Sequence, residues 1–289
     1  MVAGTDDPAV QRRRLRGELR SLRNEAGLTQ RQVARSLEWS TSKLIRIENG
    51  DQGISATDLR ALLDELGVTD TDRRSQLAEI ARNARREPWS DYRDVLEPAY
   101  RTYLGVESSS SLLRNYEPQL VPGLLQTEEY ARAVLSDTYE KDKGHIDRIW
   151  EARERRQELH ERDDPPKMFF ILDETIIRRE VSSAGVMRRQ FEQLNHWGGQ
   201  PHVTLRVLPF SGGAHPGMTG PIVILEFPNP SDNDLVYLEG PEGGFTFRDD
   251  LDVTTQSIEK FYALEDKSLS VEATRDLLDE RIRELGAKK

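Results

Sequence analysis

The sequence contains no cysteine and no long hydrophobic run. Without cysteine, disulfides, thiolate metal sites, iron–sulfur clusters and cysteine nucleophiles are all excluded, and a reducing cytoplasm is a suitable compartment. No stretch approaches the roughly 18 apolar residues of a membrane-spanning helix, and the N-terminal residues lack the apolar segment of a signal peptide. We therefore expect a cytoplasmic protein that does not bind a membrane.

Residue patterns typical of catalysis or metal binding are also scarce. No serine stands in a G-x-S-x-G motif, and the glycine-rich segment 212–220 continues into Pro221 rather than into the Lys-Ser/Thr and helix of a Walker loop. The histidines lack the spacing of a metal site; they are His145, His160, His196, His202 and His215. These patterns predict a protein that is not an enzyme and that needs neither a metal nor another cofactor.

Positive charge is in deficit overall but is concentrated in one segment. The 289 residues carry a net charge of −10. Residues 10–50 contain ten basic and four acidic side chains, a net charge of +6, so that the remaining 248 residues carry −16. A basic segment attached to an acidic remainder indicates that this segment binds nucleic acid.

Apolar periodicity and capping signals predict five helices in an N-terminal domain at residues 10–88. The first helix ends at Gly27, and the second begins at Thr29, where Gln32 completes a capping box. The third is capped by Ser40. The remaining two helices are predicted at residues 56–66 and 73–86.

Residues 28–50, with the sequence LTQRQVARSLEWSTSKLIRIENG, predict two short helices joined by a tight turn. Such a pair, packed against a longer first helix, forms a helix-turn-helix. Leu44 and Ile47 of its second helix point to the core. The opposite, polar face, which is needed for entry into the major groove, is formed by Thr41, Ser42, Lys43 and Arg46. Gln30 lies at the positive N-terminus of the preceding helix, where it can donate to a phosphate.

After residue 88 the composition changes, and we predict a helical linking region at 89–166 and an α+β domain at 167–289. β-Branched and aromatic runs predict strands at residues 168–172, 202–208, 221–227, 234–239 and 245–247. Helices are predicted at residues 91–103, 128–137, 145–161, 184–197, 250–264 and 271–285. A helix between the first two strands predicts a parallel crossover, and the later strands predict antiparallel hairpins. The expected fold is an all-α helix-turn-helix domain followed by an α+β domain with a mixed sheet.

The helix-turn-helix segment resembles the Xre, or phage repressor (Cro/C1-type), family of regulators. The resemblance is carried by LTQ, by QVA and by STSKLIRIENG within residues 28–50. Bases are contacted in that family by the residues that match Thr41, Ser42 and Arg46. An ion pair between Arg23 and Glu48 is also implied, and we expect it to be structural rather than a DNA contact. Trp39 departs from the family, in which a small or β-branched residue is usual in the turn.

Phosphate contacts are expected from a second set of residues: Gln30, Lys43, Asn49 and Arg13. The resemblance implies contacts from the residue that matches Gln30 and from the backbone near Asn49. Arg13 is expected to precede the first helix, and residues 12–14 are interpreted either as a solvated tail or as an arm that adds nonspecific phosphate contacts.

Three segments of the C-terminal part resemble a large actinobacterial subgroup of the same regulators. They are YEPQLVPGLLQTEEYARAVL (116–135), ILDETIIRREV (171–181) and HVTLRVLPFSGGAHPGMTGPIVILEF (202–227). Members of the subgroup join a helix-turn-helix head to a C-terminal domain of poorly defined role, and they are often encoded beside a small partner protein. The resemblance therefore implies a transcriptional regulator or an antitoxin-like partner.

Three further features of the C-terminal part have two interpretations each. The loop at 212–220 is either a flexible hairpin loop or a lid over a ligand or protein partner, to which His215 contributes. Asp173 either caps the helix that follows it, as we expect, or acts as a catalytic carboxylate, and Glu174 is a candidate for a ligand pocket. The segment 121–127 is a tight turn packed in the core or, alternatively, an interface.

Together these features predict a transcriptional regulator that binds double-stranded DNA as a homodimer on a palindromic operator. The acidic C-terminal region is expected to supply dimerisation, partner binding, small-molecule sensing or a combination of these, while its charge repels DNA. The alternative is an antitoxin-like protein whose C-terminal region binds a small protein and whose DNA binding serves autoregulation. An enzyme with a DNA-binding domain is a third class, which a bound cofactor or a polar cleft would indicate.

Overall fold

A computed structural model describes residues 8–49, 52–85, 89–139, 142–228, 233–239 and 245–287. The chain forms two compact units. The head unit comprises residues 1–90 and 101–109, and the body unit comprises residues 91–100 and 110–289.

The described residues of the head up to position 85 form five helices, as predicted. Their bounds are α1 (Pro8–Glu25), α2 (Gln30–Ser36), α3 (Thr41–Asn49), α4 (Ala56–Glu65) and α5 (Thr71–Asn83). The predicted capping box at the start of α2 is confirmed. The Thr29 hydroxyl accepts from the backbone N–H of Gln32 at 3.3 Å, and the Gln32 side-chain oxygen accepts from the Thr29 N–H at 2.9 Å. Two N–H groups that the helix leaves without intrahelical partners are thereby satisfied.

Apolar side chains from all five helices meet in one core of the head. Its buried members are Leu15, Leu19, Val33, Ala34, Leu44, Ile47, Ile54, Leu59, Leu62, Leu63, Leu66, Leu77, Ile80 and Ala81. Full burial of one such leucine or isoleucine contributes about 1.5–3 kcal/mol to stability. Since α2 and α3 turn their apolar sides inward to this core, their polar sides face outward.

The helix predicted over residues 91–103 is wrong in its bounds. The chain instead forms a short 3-10 turn at Ser90–Tyr92 and then α6 at Pro98–Glu107. Pro98 is the reason, because proline lacks an N–H and clashes with the preceding turn inside a helix, whereas it is well tolerated at the first helical position. A continuous helix through Pro98 is therefore disfavoured, and a helix that begins there is not.

The body contains one mixed sheet of six strands among its described residues. The strands are β1 (Leu112–Glu117), β2 (Lys167–Asp173), β3 (Val203–Leu208), β4 (Ile222–Glu226), β5 (Leu235–Glu239) and β6 (Phe245–Arg248). The strand order is β3-β2-β1-β4-β5-β6, with parallel pairs among the first three and antiparallel pairs thereafter. Of these strands, β1 was not predicted, so the expectation of a helical region over 89–166 is wrong at residues 112–117.

Helices pack around this sheet. Their bounds are α7 (Glu128–Tyr139), α8 (Lys143–Gln157), α9 (Glu174–Arg178), α10 (Ala184–Gly198), α11 (Leu251–Lys267) and α12 (Val271–Ala287). The predicted crossover is confirmed, since α10 connects the parallel neighbours β2 and β3. The expected fold class is therefore confirmed. Among the helices of the described residues, none is long and apolar enough to cross a membrane.

One core of the body lies between the sheet and α11. Its buried members are Tyr116, Ile171, Leu208, Ile222, Ile224, Val236, Phe261 and Leu264. The loop at 209–220 connects β3, at one edge of the sheet, to β4, which lies beyond β2 and β1. The interpretation of 212–220 as a hairpin loop is therefore wrong, because β3 and β4 are not neighbours. The segment 121–127 packs in the core, with Leu124 and Leu125 at most 1% exposed.

Candidate nucleic-acid interface

The turn between α2 and α3 depends on an unusual backbone conformation at Glu38, whose φ is +56°. The backbone N–H of Trp39 donates to the carbonyl oxygen of Ala34 at 2.8 Å, which closes the turn. The indole of Trp39 packs against the edge of the head core and is partly buried. A large residue at this place is thus accommodated, because its ring covers core side chains rather than standing in solvent.

The recognition-helix candidate α3 has two chemically distinct faces. Leu44, Ile47 and Glu48 are buried, with exposures of 0%, 4% and 1%. The exposed residues of α3 are Thr41, Ser42, Ile45, Arg46 and Asn49. The three residues predicted to contact bases therefore lie together on the outward face. Arg46 is oriented there by a hydrogen bond from its Nε to Gln52 Oε1 at 3.1 Å.

Glu48 fixes α3 against both preceding helices. Its carboxylate accepts from Arg23 of α1 at two points, Nε at 2.7 Å and Nη2 at 3.2 Å. It also accepts from the Gln30 Nε2 of α2 at 2.7 Å. The side chains of Arg23 and Glu48 are 14% and 2% exposed, so this bidentate pair lies largely out of water, where charge-assisted hydrogen bonds are strong.

Gln30 is predicted to contact phosphate, and the structure gives its amide a second partner in Glu48. A side-chain amide carries two N–H donors. The bond to Glu48 uses one donor, so the other can reach a phosphate while the first holds the side chain in place. The sequence did not reveal this link between Gln30 and the Arg23–Glu48 pair.

The other predicted phosphate contacts of α3 also have partners within the head. Lys43 Nζ donates to Asp58 Oδ1 at 3.0 Å and lies 4.0 Å from the centre of the Trp39 ring. The Asn49 side-chain oxygen accepts from Arg20 Nη2 at 2.8 Å. The carbonyl oxygen of Asn49 accepts from Arg16 Nη1 at 3.4 Å. Arginines of α1 therefore gather at the C-terminus of α3, where the helix dipole favours positive charge.

Arg13 lies inside α1, which corrects the expectation that it precedes the first helix. Residues 12–14 are neither a tail nor an arm; they belong to the second turn of α1 and are partly buried. The helix begins early because Pro8 occupies its first position, where the fixed φ of proline suits a helix. Arg12 reinforces this turn, since its Nε donates to the carbonyl oxygen of Ala84 at 2.7 Å.

The body residues singled out from the sequence lie at the C-terminal ends of β1 and β2. Asp173 caps α9 as expected, with its Oδ1 accepting from the Thr175 N–H at 2.8 Å. His215 Nε2 lies 3.8 Å from Asp173 Oδ2, and its ring meets that of Tyr116 edge-on at 6.0 Å. Burial, together with Asp173, raises the pKa of the Tyr116 hydroxyl well above its ordinary value.

Glu174, the next residue after Asp173, has partners other than His215 and Tyr116. Its Oε2 accepts from the backbone N–H of Phe210 at 2.7 Å, and its Oε1 accepts from Arg178 Nε at 3.0 Å. Glu174 therefore fastens the start of the loop at 209–220, whereas His215 lies further along the same loop. In the part of the chain that the structure describes, no group of three or more acidic, histidine or cysteine side chains could hold a metal ion.

The head is a helix-turn-helix domain: the model of that domain matches residues 14–76. The protein is accordingly a DNA-binding regulator. A second model, described as a domain of unknown function (DUF5753), matches residues 100–280. This match spans more than half of the chain, which therefore belongs to the DUF5753 family. Searches of curated proteins and of solved structures returned no significant match.

Proposed function

We propose that the protein is a sequence-specific transcriptional regulator of the Xre (Cro/C1-type) kind, within the actinobacterial subgroup described above. It acts in the cytoplasm, without enzymatic activity and without a cofactor, and it binds a palindromic operator as a homodimer. The head reads DNA, and the body, at residues 91–100 and 110–289, supplies dimerisation together with partner or small-molecule binding.

The two-faced character of α3 supports this proposal most directly. Its buried side anchors the helix through Leu44, Ile47 and the Arg23–Glu48 pair, so that the outward side is held in a fixed orientation. A preorganised helix loses little entropy when it enters the major groove. The outward side presents hydroxyl groups at the N-terminal end and a guanidinium one turn later, which is the chemistry that base edges require.

Individual roles follow from position on this face. Arg46 uses one of its five N–H donors on Gln52, and the remaining donors can form the bidentate contact to guanine O6 and N7. Thr41 and Ser42, at the first turn, contact bases through their hydroxyl groups. The proposed phosphate contacts position the helix without reading sequence, and they come from Gln30, Lys43 and Asn49. Arg13 is not among them, because the Nη1 and Nη2 atoms of its guanidinium are buried.

A homodimer is proposed because one recognition helix buries too little surface for useful specificity. Two copies of α3 about 34–36 Å apart meet successive major grooves on one side of the duplex, which matches a palindromic operator. The net charge of −16 outside residues 10–50 opposes nonspecific attachment of the rest of the chain to DNA.

Neighbouring cations of α3 provide a matched test. In the full chain, Arg46→Ala should cost about 1–3 kcal/mol on operator DNA and relax the preference at one base position per half-site. Lys43→Ala should weaken operator and scrambled DNA alike and reduce the salt slope by about one per subunit. The measurement is a titration of both variants against both DNAs at several salt concentrations. Equal weakening of the two DNAs by Arg46→Ala would contradict its base-reading role.

The antitoxin-like function is retained as a second candidate because the body exposes large apolar side chains. Phe210 and Met218 of the 209–220 loop are 60% and 72% exposed, and Leu251 at the start of α11 is 79% exposed. Exposed apolar side chains mark a protein interface where they adjoin one another in a patch. Sedimentation of the full chain carrying Phe210→Ser and Met218→Ser distinguishes the candidates. If the two substitutions dissociate the dimer, Phe210 and Met218 belong to the surface through which the protein self-associates. If the dimer is unchanged, the result favours the view that these two residues contact a small protein partner.

A further inference from the structure

Ile45 is the one apolar residue on the outward face of α3. It is 36% exposed, whereas its apolar neighbours on the helix, Leu44 and Ile47, are buried in the head core. The other outward residues of α3 are polar or charged: Thr41, Ser42, Arg46 and Asn49. Core packing therefore accounts fully for Leu44 and Ile47, whereas more than a third of Ile45 remains exposed on the outward face.

The position of Ile45 places it within the proposed base-reading surface. It follows Thr41 by four residues and precedes Asn49 by four, so the three lie along one stripe of α3. It is also adjacent in sequence to Arg46, on the same exposed side. A helix that presents Thr41 and Arg46 to base edges therefore presents Ile45 to the same groove.

The chemistry of isoleucine selects among the bases. In the major groove, the 5-methyl group of thymine is the apolar feature, whereas the other edges present hydrogen-bond donors and acceptors. An isoleucine laid against a polar edge removes water from that edge without replacing the lost hydrogen bond, which is unfavourable. Its β-branched side chain is restricted to few rotamers in a helix and so loses little freedom on contact.

We propose that Ile45 is a specificity-determining residue that contacts a thymine methyl group in each half-site. This inference rests on the proposed function, because it requires α3 to lie in the major groove. Loss of a contact the size of one methyl group corresponds to roughly a fourfold change in affinity per half-site.

The test uses the full chain and DNA sites that it selects from a random pool. Each thymine of the selected half-site is replaced in turn by deoxyuridine, which removes only the methyl group. The unaltered protein should lose roughly fourfold in affinity at one position. Ile45→Ala should bind the thymine and deoxyuridine forms of that position equally, whereas Arg46→Ala should retain the thymine preference as the matched control. Thermal unfolding of Ile45→Ala, whose side chain is partly exposed, shows that the variant remains folded at the temperature of the binding measurement.

The outcomes separate this inference from the proposed function. Failure to select any DNA site would overturn both. Selection of a specific site at which no deoxyuridine position weakens binding would overturn the role of Ile45 and leave the regulator intact. A deoxyuridine penalty that persists in Ile45→Ala would assign the methyl contact to another residue, and equal weakening of both DNA forms would make Ile45 a non-reading contact.

Discussion

The head holds α3, and the body holds the buried turn Gly123–Leu125, in chemically different ways. In the head, α3 is anchored by an ionised pair, in which the Glu48 carboxylate accepts from Arg23 and Gln30. In the body, neutral side chains donate to the carbonyl oxygens of the turn Gly123–Leu125. These bonds are Gln157 Nε2 to Gly123 at 2.8 Å, His160 Nε2 to Leu124 at 3.2 Å and Gln190 Nε2 to Leu125 at 2.8 Å. The anchor of α3 in the head depends on the pairing of opposite charges. The anchor of the turn in the body depends on neutral side chains, one of which is the imidazole of His160.

The two units also differ in backbone conformation. Among the described residues of the body, positive φ values occur only at glycines, Gly213 and Gly220. In the head they occur also at Glu38 and Trp89, with φ of 56° and 54°. The head therefore stores backbone strain at two residues that carry a Cβ, one of them in the turn before α3, whereas the described part of the body uses glycine at such positions.

The largest effect is expected from Glu48→Ala. Removing the carboxylate leaves the mostly buried Arg23 guanidinium without its counter-charge, which should lower the free energy of unfolding of the head by about 3–5 kcal/mol. Urea unfolding of the full chain measures this change. Glu25→Ala, at an exposed glutamate of α1, is the control and should change stability by less than about 0.5 kcal/mol. If the two variants unfold alike, the ion pair does not anchor α3.

The same anchor shows what the sequence could and could not predict. The capping box at Thr29 and Gln32 and the apolar spacing of Leu44 and Ile47 are local signals within a few residues of each other, so both were visible. The second partner of Glu48, Gln30, lies on another helix and follows only from tertiary packing.

Nonlocal pairing explains the failures in the body. The strand β1 contains Arg114 and Asn115, which interrupt the apolar pattern expected of a buried strand. Its conformation is set by partners far away in sequence, since Leu113 pairs with Met168 on one side and with Leu225 on the other. For the same reason the approach of His215 to Asp173 and Tyr116 could not be predicted from spacing.

The neutral anchor of the body should make it sensitive to acid. His160 donates from Nε2 to a carbonyl oxygen, so its Nδ1, 3.1 Å from His202 Nε2, accepts when the ring is neutral. Burial, and then the neighbouring His202, lowers the pKa of His160 from 6.5 to about 4. The unfolded chain therefore binds a proton between these values when the folded chain does not. The resulting stability is fully present above pH 6.5 and is lost as the pH falls toward 4.

This loss should amount to about 2 kcal/mol at pH 5 relative to pH 7.5. Urea unfolding of the full chain at the two pH values measures it. His160→Gln should remove this component of the pH dependence, while His145→Gln, at a partly exposed histidine of α8, should retain it. An unaltered pH dependence in His160→Gln would show that other groups cause the acid sensitivity of the body.

The smallest effect, and the only stabilising one, is expected at the turn between α2 and α3. A side chain in the left-handed region costs roughly 1–2 kcal/mol, part of which is offset because glycine makes the unfolded chain more flexible. Glu38→Gly should therefore raise the stability of the head by about 0.5–1 kcal/mol, whereas Glu38→Ala should leave it nearly unchanged. Gly213→Ala is the contrasting case in the body. A Cβ there meets no atom within 4 Å, but φ of +63° with ψ of −148° is a conformation essentially restricted to glycine, so the variant should lose about 1–3 kcal/mol through the backbone alone. Thermal unfolding of the three variants gives the signs. Destabilisation by Glu38→Gly would mean that the Glu38 side chain contributes more to the turn than its backbone conformation costs.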